Sequence, residues 1–199
     1  MSPAPSKLLN RRAATARILR DRGDALVVTG LGNSTFDVAA AGDTPLNFYL
    51  WGAMGGAAMV GLGLALAQPK RRVLVFTGDS EMMMGLGSLA TVSVEKPDNL
   101  AIIVLDNEHY AETGMQPGHT GRGVDLVGIA LAAGFADAVT IRSEQELEAR
   151  APKLLAARGP LFTVIKVATD PTPTALPPRD GPYLRSRFRE AVLGVDAHR

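Results

Sequence analysis

Two polar motifs stand directly after two apolar runs, and their spacing constrains the fold more than any other feature of the sequence. Gly78-Asp79-Ser80 follows the run 73–76, and Asp106-Asn107 follows the run 100–105. The residues between the motifs have room for one helix and one strand, which makes a βαβ unit. We therefore predict that both motifs lie at the same edge of a parallel sheet. There, carboxylate and amide oxygens can hold one hard divalent cation, and a glycine turn lets backbone N–H groups reach a phosphate.

Segments typical of strands and helices alternate along the chain, and this alternation predicts a doubly wound α/β fold. The runs 72–77 and 100–106 are apolar almost throughout, as expected of strands that are covered on both faces. We predict a mostly parallel sheet with helices on both faces. The predicted strands are 25–29, 47–51, 72–77, 100–106, 138–141 and 161–167. The predicted helices are 7–22, 34–41, 52–68, 81–95, 125–134, 143–158 and 185–193.

Composition limits the classes of function. The chain is 46% hydrophobic with a formal net charge of +1, which is typical of a globular protein and gives no basic field for nucleic acid. The absence of cysteine excludes disulfides, thiolate zinc sites and cysteine-ligated iron–sulfur clusters. The longest apolar stretch, residues 54–67, is shorter than the roughly 20 residues of a membrane span, and no secretory signal is apparent. We expect a cytoplasmic protein without a membrane segment.

Prolines are concentrated after residue 168, where we predict a tail over residues 169–199 that contains a short helix. Residues 1–168 hold all the predicted strands together with a charged N-terminal helix. We expect this larger segment to be the domain that binds the metal and the diphosphate, with the tail lying over its surface.

The paired motifs resemble the thiamine diphosphate (ThDP) binding motif, which is usually written as GDG followed one βαβ unit later by NN. The segments NFYLWGAMG, residues 47–55, and DNEHYAETGMQ, residues 106–116, narrow the resemblance. They are similar to the β subunits of sulfopyruvate decarboxylase and to the C-terminal domain of phosphonopyruvate decarboxylase. The resemblance extends from about residue 25 to residue 167 and implies the ThDP-binding fold of this family.

The resemblance implies a magnesium site. Asp79 and Asn107 would be the side-chain ligands of Mg²⁺, and the backbone carbonyl of His109 would be the third ligand from the protein. Oxygens of the diphosphate and a water would complete the octahedron, since Mg²⁺ usually takes few protein ligands.

The same resemblance implies a set of cofactor contacts around the metal. Gly78, Ser80 and Glu81 would form the diphosphate turn, with Ser80 and Glu81 at the start of a helix whose N–H groups favour an anion. His109 and Tyr110 would contact the cofactor from the loop after the second motif.

A second group of contacts comes from the first half of the chain. Gly32, Asn33 and Ser34 resemble a second phosphate-binding turn at the end of the first strand. Gly52 resembles the residue whose carbonyl accepts a hydrogen bond from the 4'-amino group of the cofactor. Met54 resembles the bulky residue that bends the cofactor into a V, which brings this amino group beside the thiazolium C2.

Two positions depart from the family motif. Ser80 stands where the family often has glycine, so the side chain is harmless if φ is negative there and weakens binding if φ is positive. Asp106 stands where the first asparagine is expected and adds a negative charge near the metal, and we expect a structural role for it.

The resemblance implies a 2-oxo acid decarboxylase that acts on an anionic 3-substituted pyruvate, such as sulfopyruvate or phosphonopyruvate, and releases CO₂ and an aldehyde. In this family a glutamate from a separate pyrimidine-binding domain activates the cofactor, and we find no such domain in the sequence. We therefore expect an α-type partner subunit that supplies the glutamate, in an α₂β₂ or larger hetero-oligomer. The alternatives are a ThDP-dependent carboligase or synthase subunit, and a non-catalytic ThDP-fold module that binds a partner.

Two sets of polar residues stay open between surface and functional roles. Loop residues that could close over a substrate are Glu112, Thr113, Gln116, His119 and Thr120. Tail residues that either face solvent or capture a phosphonate or sulfonate are Arg179, Arg185, Arg187 and Arg189.

Overall fold

The computed structural model describes residues 8–169 and 171–198, and it contains eight strands within them. The strands are β1 (Leu26–Thr29), β2 (Asn47–Tyr49), β3 (Val73–Gly78), β4 (Leu100–Asp106), β5 (His109–Tyr110), β6 (Gln116–Pro117), β7 (Asp137–Ile141) and β8 (Leu161–Lys166). Six of them form one parallel sheet in the order β2–β1–β3–β4–β8–β7. The remaining pair, β5 and β6, forms a short antiparallel hairpin. The predicted doubly wound α/β fold is confirmed.

Helices cover both faces of the sheet. They are α1 (Arg11–Leu19), α2 (Asn33–Ala40), α3 (Ala57–Ala67), α4 (Asp79–Met84), α5 (Ser88–Glu95), α6 (Leu126–Ala133), α7 (Glu144–Ala156) and α8 (Gly181–Leu193). One buried cluster joins α1, α2 and α7 to the strands, and the other joins α3, α4, α5 and α6 to them. Within β3 the side chains alternate between these clusters, so Leu74 packs on one face and Val75 on the other.

The strand order places three turns side by side. Gly78 at the end of β3 is level with Leu105 of β4, and Thr29 at the end of β1 is level with Phe76 of β3. The chain leaves β1 toward β2 on one side and passes to β3 on the other, so the crevice between β1 and β3 is the topological switch point of the sheet. Ligands of open α/β sheets bind at such a point.

The predicted helix 81–95 is wrong in one respect, because it is divided into α4 and α5. Between them, the backbone of Gly85 touches the backbone of Gly55. A Cβ built on Gly85 would lie 2.1 Å from the carbonyl oxygen of Gly55. Gly85 follows the last residue of α4, Met84, and its lack of a side chain permits this contact between two backbones.

The predicted helix 52–68 starts later than expected, at Ala57. Residues 52–56 form a turn in which Gly52 and Gly55 have φ values of 77° and 85°. These positive values belong to the left-handed region that glycine adopts at no steric cost, and a right-handed helix does not pass through them. The turn brings Met54 toward the end of β3.

The C-terminal helix lies against the edge of the sheet. It begins at Gly181, earlier than the predicted residue 185, because the Asp180 side chain caps it by accepting a hydrogen bond from the backbone of Tyr183. Phe188 packs on Phe48 with ring centroids 5.4 Å apart, and Arg187 pairs with Asp43 at 2.7 Å. The division of the chain at residue 168 stays a prediction, as does the tail as a separate unit.

Two further points concern the ends of the chain and its helices. The predicted first helix begins at Arg11, where the Asn10 side chain accepts a hydrogen bond from the backbone of Ala13, and residue 7 lies outside the described residues.

Within the described ranges, the structure contains no helix with the length and apolarity needed to cross a membrane.

Candidate cofactor-binding site

A cavity of about 210 Å³ opens at the switch point of the sheet. Every predicted cofactor or metal contact except Gly52 lines it. These residues are Gly32, Asn33, Ser34, Met54, Gly78, Asp79, Ser80, Glu81, Asn107, His109 and Tyr110. Residues without a predicted cofactor role complete the wall, namely Arg11, Leu31, Leu105, Ala111, Glu112, Thr113 and Val167. The structure thus gathers two predicted turns and one predicted loop around one space.

Gly52 and Met54 differ in where the structure places them. Gly52 lies in the exposed turn after β2 and lines neither this cavity nor the one beside it. Met54 lines the cavity and keeps 44% of its surface exposed, so it stands at the mouth. The predicted roles of both residues toward a cofactor stay predictions.

Asp79 is the buried acid of the site. Its Oδ2 accepts a hydrogen bond from the Ser80 hydroxyl at 3.3 Å and lies 3.1 Å from the Thr120 hydroxyl, whose single proton it shares with Asp106. Burial raises the pKa of Asp79 to about 6, and the nearby charge of Asp106 adds to the shift. Hydroxyl groups alone do not balance a buried carboxylate charge, so this position favours a bound cation.

Asp106, the neighbouring carboxylate, is neutralised within the protein. Its Oδ2 lies 2.7 Å from Nζ of Lys166, and its Oδ1 accepts a hydrogen bond from Thr120 at 2.8 Å. Lys166 also pairs with Glu108 at 2.6 Å. Burial lowers the pKa of Lys166, but the bonds to the two carboxylates outweigh burial and raise it. These contacts agree with the structural role expected for Asp106.

Asn107 and His109 form a tight turn beside Asp79. The Asn107 side-chain oxygen accepts a hydrogen bond from the backbone N–H of His109 at 3.1 Å, and the His109 ring nitrogen Nδ1 lies 2.9 Å from the Asn107 carbonyl oxygen. Glu108 between them has a φ of 64°, which is uncommon for a residue other than glycine. Asn107, His109 and Asp79 line the same cavity.

The loop after this turn folds back onto Asp79. The backbone N–H of Gly118 donates to the carbonyl of Glu108 at 2.6 Å. A Cβ built on Gly118 would come within 3.0 Å of Asp79 Oδ2, and one built on Gly121 would come within 2.9 Å of the Glu108 carbonyl. Glycine at these two positions lets the loop approach the acid closely.

Glu81 links two of the turns. Its Oε2 accepts a hydrogen bond from Thr77 at 2.8 Å, and a Cβ built on Gly30 would lie only 1.6 Å from this oxygen. Burial raises the pKa of Glu81, and the Thr77 hydroxyl and the backbone N–H groups of Leu31 and Gly55 oppose that shift. Glu81 therefore fills the space beneath the β1 turn, and its predicted contact with a cofactor stays a prediction.

The turn after β1 begins α2 without a side-chain cap. Gly32 has a φ of 75°, and α2 starts at Asn33. Ser34 lies inside this helix, not before it, and its hydroxyl donates to the carbonyl of Leu31 at 3.3 Å. A helix start without a side-chain cap leaves backbone N–H groups that a phosphate can satisfy.

Ser80 is compatible with its position. It lies inside α4, and the non-glycine residues with positive φ in the described chain are Lys96, Glu108 and Met115. Serine is therefore unstrained at the third position of the motif. This removes the conformational reason for weaker binding.

The donor set fits a magnesium ion that shares its oxygens with a ligand. In the part of the chain that the structure describes, no group of three or more acidic, histidine or cysteine side chains could hold a metal. Asp79, Asn107 and the His109 carbonyl offer three hard oxygen donors on adjacent turns of one cavity. Mg²⁺ typically binds through one or two carboxylates together with phosphate oxygens and waters.

Sequence reasoning found the acids and turns but missed two cations. Lys166 reads only as the end of an apolar strand, and its pairing with Asp106 requires knowledge that β8 lies beside β4. Arg11 reads as one of several charges on an amphipathic helix, yet it lines the cavity and is only 7% exposed. No local pattern distinguishes either residue.

The tail arginines, which the sequence offered as an alternative anion site, lie elsewhere. Arg187 pairs with Asp43, Arg189 donates to the carbonyl of Ala197, and Arg179 lies 5.2 Å from the centre of the Trp51 ring. None of these three described residues, nor Arg185, lines either of the two cavities at the switch point.

The fold and site define an α/β domain with a cavity suited to a phosphate-bearing cofactor at the switch point of a parallel sheet. Residues 30–165 match the family described as thiamine pyrophosphate enzyme, C-terminal TPP binding domain. The chain belongs to this family. The predicted resemblance is confirmed.

Two curated relatives and one solved structure place the chain within the family. It is 36% identical over 188 residues to the sulfopyruvate decarboxylase subunit beta of Methanothermobacter thermautotrophicus, covering 94% of this chain and 98% of the relative. It is 40% identical over 162 residues to the phosphonopyruvate decarboxylase of Streptomyces viridochromogenes, covering 81% of this chain but only 40% of that protein. The benzoylformate decarboxylase structure from Polynucleobacter necessarius superposes with a TM-score of 0.69 at 17% identity, over 87% of this chain and 36% of that one. The last comparison supports the fold alone.

Proposed function

We propose that this chain is the ThDP- and Mg²⁺-binding subunit of a heteromeric 2-oxo acid decarboxylase. The substrate class is an anionic 3-substituted pyruvate, such as sulfopyruvate or phosphonopyruvate, and the products are CO₂ and an aldehyde. The observation that carries the proposal is the single cavity that unites the Gly78-Asp79-Ser80 turn, the Asp106-Asn107 turn and the turn after β1. A cytoplasmic location, expected from the sequence, belongs to the same proposal.

The roles of the site residues follow from their chemistry. Asp79, Asn107 and the carbonyl of His109 would hold the metal, and the start of α2 would receive phosphate oxygens. Bound ThDP supplies an electron sink for loss of CO₂. The protein binds and orients it, and Met54 at the mouth would support the cofactor rings.

A partner subunit is part of the proposal. The relative of similar length is named as a beta subunit, whereas the match to phosphonopyruvate decarboxylase leaves more than half of that protein unmatched. These lengths support a chain that supplies one half of an active site. The other half, including the activating glutamate, would come from a pyrimidine-binding α-type subunit in an α₂β₂ or larger assembly.

The surface beside the cavity mouth supports this partner. Helix α3 has the sequence AAMVGLGLALA, without a polar or charged side chain, and it packs against α5. We name the outward apolar side chains of α3, α4 and α5 the α3–α5 face. Its exposed members are Met59, Leu66, Met84 and Val94. Exposed apolar side chains on neighbouring helices favour an interaction surface, and the backbone contact between Gly55 and Gly85 joins the turn that carries Met54 to the end of α4.

Binding of the cofactor is the first test. Titration calorimetry would use the full chain mixed with its pyrimidine-domain partner, with ThDP and Mg²⁺ as ligands. We expect saturable binding that is lost in Asp79→Asn and kept in Asp180→Asn, since Asp180 only caps α8. An absence of binding by the wild-type mixture would overturn the proposal.

Product analysis is the second test. An aldehyde formed from sulfopyruvate or phosphonopyruvate supports a decarboxylase, and a coupled acyloin identifies a carboligase instead. Binding of ThDP without turnover of any 2-oxo acid identifies a non-catalytic module.

A further inference from the structure

Arg11 is the unassigned cation of the site. A second cavity of about 280 Å³ adjoins the first and shares Arg11, Asn33, Asn107, Ala111 and Glu112 with it. Among the described residues that line the two cavities, Arg11 alone has a permanent positive charge. A diphosphate entering this space therefore meets one guanidinium on a wall that is otherwise neutral or acidic.

The Arg11 side chain is fixed in place before any ligand binds. Its Nη1 donates to Asp37 Oδ2 at 2.5 Å and to the carbonyl of Asn33 at 3.3 Å. Asp37 is fully buried and Arg11 is only 7% exposed. A guanidinium that is already ordered loses little conformational entropy when it binds an anion.

The guanidinium also keeps donors for a ligand. In the described part of the chain, its hydrogen bonds involve Nη1 alone, so Nε and Nη2 are left without a protein partner. These two nitrogens form the edge of the planar fork that matches phosphate oxygens. Since Arg11 lines both cavities, this donor capacity belongs to the site and not to the outer surface.

The position of Arg11 indicates which end of the cofactor it would contact. It contacts the first residue of α2, next to the predicted phosphate turn, and it shares the wall of both cavities with the predicted metal ligand Asn107. Met54, the predicted support of the cofactor rings, lines the first cavity only. Arg11 is therefore on the side of the metal and phosphates.

We propose that Arg11 binds the terminal phosphate of thiamine diphosphate, with Asp37 holding the guanidinium in position. The inference rests on the proposed function, because it assigns a residue to the cofactor of that site. It predicts that Arg11 discriminates thiamine diphosphate from thiamine monophosphate, which lacks the terminal phosphate.

Arg12 is a matched control. Its Nε binds the other oxygen of the same carboxylate, Asp37 Oδ1, at 3.2 Å, and its Nη2 donates to the carbonyl of Pro173 at 2.6 Å. Arg12 lines neither cavity. Loss of Arg12 thus removes one cation from Asp37 and one bond to the tail segment that lines the second cavity, while the residues that line the first cavity stay unchanged.

The experiment is titration calorimetry of the full chain mixed with its partner, using thiamine diphosphate and thiamine monophosphate with Mg²⁺. We expect Arg11→Gln to weaken the diphosphate by about 10- to 100-fold, since a charge-assisted hydrogen bond is lost. The monophosphate should change by less than about threefold. Arg11→Lys should recover part of the loss, and Arg12→Gln should leave both ligands unchanged. Thermal melts followed by circular dichroism establish that each variant is folded.

Four results overturn the inference. If Arg11→Gln weakens the binding of both ligands equally, Arg11 is a scaffold for the cavity. The same conclusion follows if Arg12→Gln weakens the binding of thiamine diphosphate as much as Arg11→Gln does. Unchanged binding in Arg11→Gln removes Arg11 from the phosphate site. A higher KM for the 2-oxo acid with unchanged cofactor affinity assigns Arg11 to the substrate anion instead. If the wild type binds no thiamine diphosphate, the proposed function itself fails, which separates the two failures.

Discussion

Asp79 and Asp106 are two buried carboxylates at the ends of adjacent strands, and the protein treats them differently. Asp106 has Lys166 at 2.7 Å, whereas the described residues give Asp79 only uncharged donors, namely the Thr120 and Ser80 hydroxyl groups and its own backbone N–H. Thr120 touches both acids, so the contrast arises from the lysine. In the part of the chain that the structure describes, the fold supplies a cation to Asp106 and none to Asp79, which supports the proposed metal-binding role of Asp79. This difference distinguishes two acids that the sequence presents in similar motifs.

The largest expected effect concerns ligand binding at Asp79. Asp79→Asn removes the proposed anionic ligand of Mg²⁺ while keeping the shape of the side chain. We expect the affinity for ThDP with Mg²⁺ to fall by about 1,000-fold or more, beyond the roughly 10- to 100-fold cost of changing a residue that only supports a ligand. Titration calorimetry measures the loss, and an affinity within tenfold of the wild type, on the order of 1.4 kcal/mol, would contradict a metal role.

The next effect concerns stability at Asp106. Asp106→Asn leaves Lys166 buried with only the half-exposed Glu108 as a charged partner. Because the buried Lys166 then keeps only one of its two carboxylate partners, we expect a loss of about 1–3 kcal/mol in the free energy of unfolding. Urea denaturation of the cofactor-free chain measures it.

The control for Asp106 is the surface pair of Asp98 and Arg158, which the structure leaves exposed. Asp98→Asn should cost less than about 1 kcal/mol. Equal costs at the two sites would remove the distinction between a buried structural acid and a surface ion pair.

A smaller effect of opposite sign is expected for the stability of the Asp79 variant. Asp79→Asn removes a buried charge that has no cationic partner, so the cofactor-free chain should gain on the order of 1–2 kcal/mol. The same urea experiment measures the gain. With saturating ThDP and Mg²⁺ the order reverses, because only the wild type is stabilised by binding. A loss of stability without ligand would mean that the protein itself balances the charge of Asp79.

The last prediction has the smallest expected effect on the stability of the chain. It tests whether the exposed apolar surface binds a partner. The α3–α5 face is apolar and exposed, and we propose that the α-type subunit covers it. Leu66→Glu should weaken the complex with the α-type subunit by at least about tenfold, while the melting temperature of the isolated chain stays within a few degrees. Leu176→Glu, at another exposed leucine, is the control. Sedimentation velocity measures the assembly, and equal behaviour of the two variants would exclude the face as the docking site.

The sequence predicts the edge of the sheet better than it predicts the charges that act there. Apolar runs followed by polar turns indicate strand ends, and parallel topology then brings Asp79 and Asn107 to one edge. The partner of Asp106 could not be inferred in this way, since Lys166 comes sixty residues later and meets Asp106 only because β8 pairs with β4 in that register. Arg11 depends on a contact between α1 and α2, and no local pattern contains it.

Helix boundaries fail for a related reason. The run through Met82, Met83 and Met84 favours a continuing helix, but the helix ends where Gly85 meets Gly55. Side-chain propensities act within a segment, whereas this stop comes from a segment 30 residues away. The predicted helix start at residue 52 is wrong because Gly52 and Gly55 have positive φ values, which a right-handed helix does not contain.

The contact between Gly55 and Gly85 has a consequence for engineering the molecule. Each Cβ built there would lie within 3 Å of the other backbone, so the spacing between the two segments is set by main-chain atoms alone. Met54 and Met84, their immediate neighbours, stand at the cavity mouth and on the α3–α5 face. Either methionine can therefore be exchanged while the spacing between the two segments is retained, because main-chain atoms alone set it.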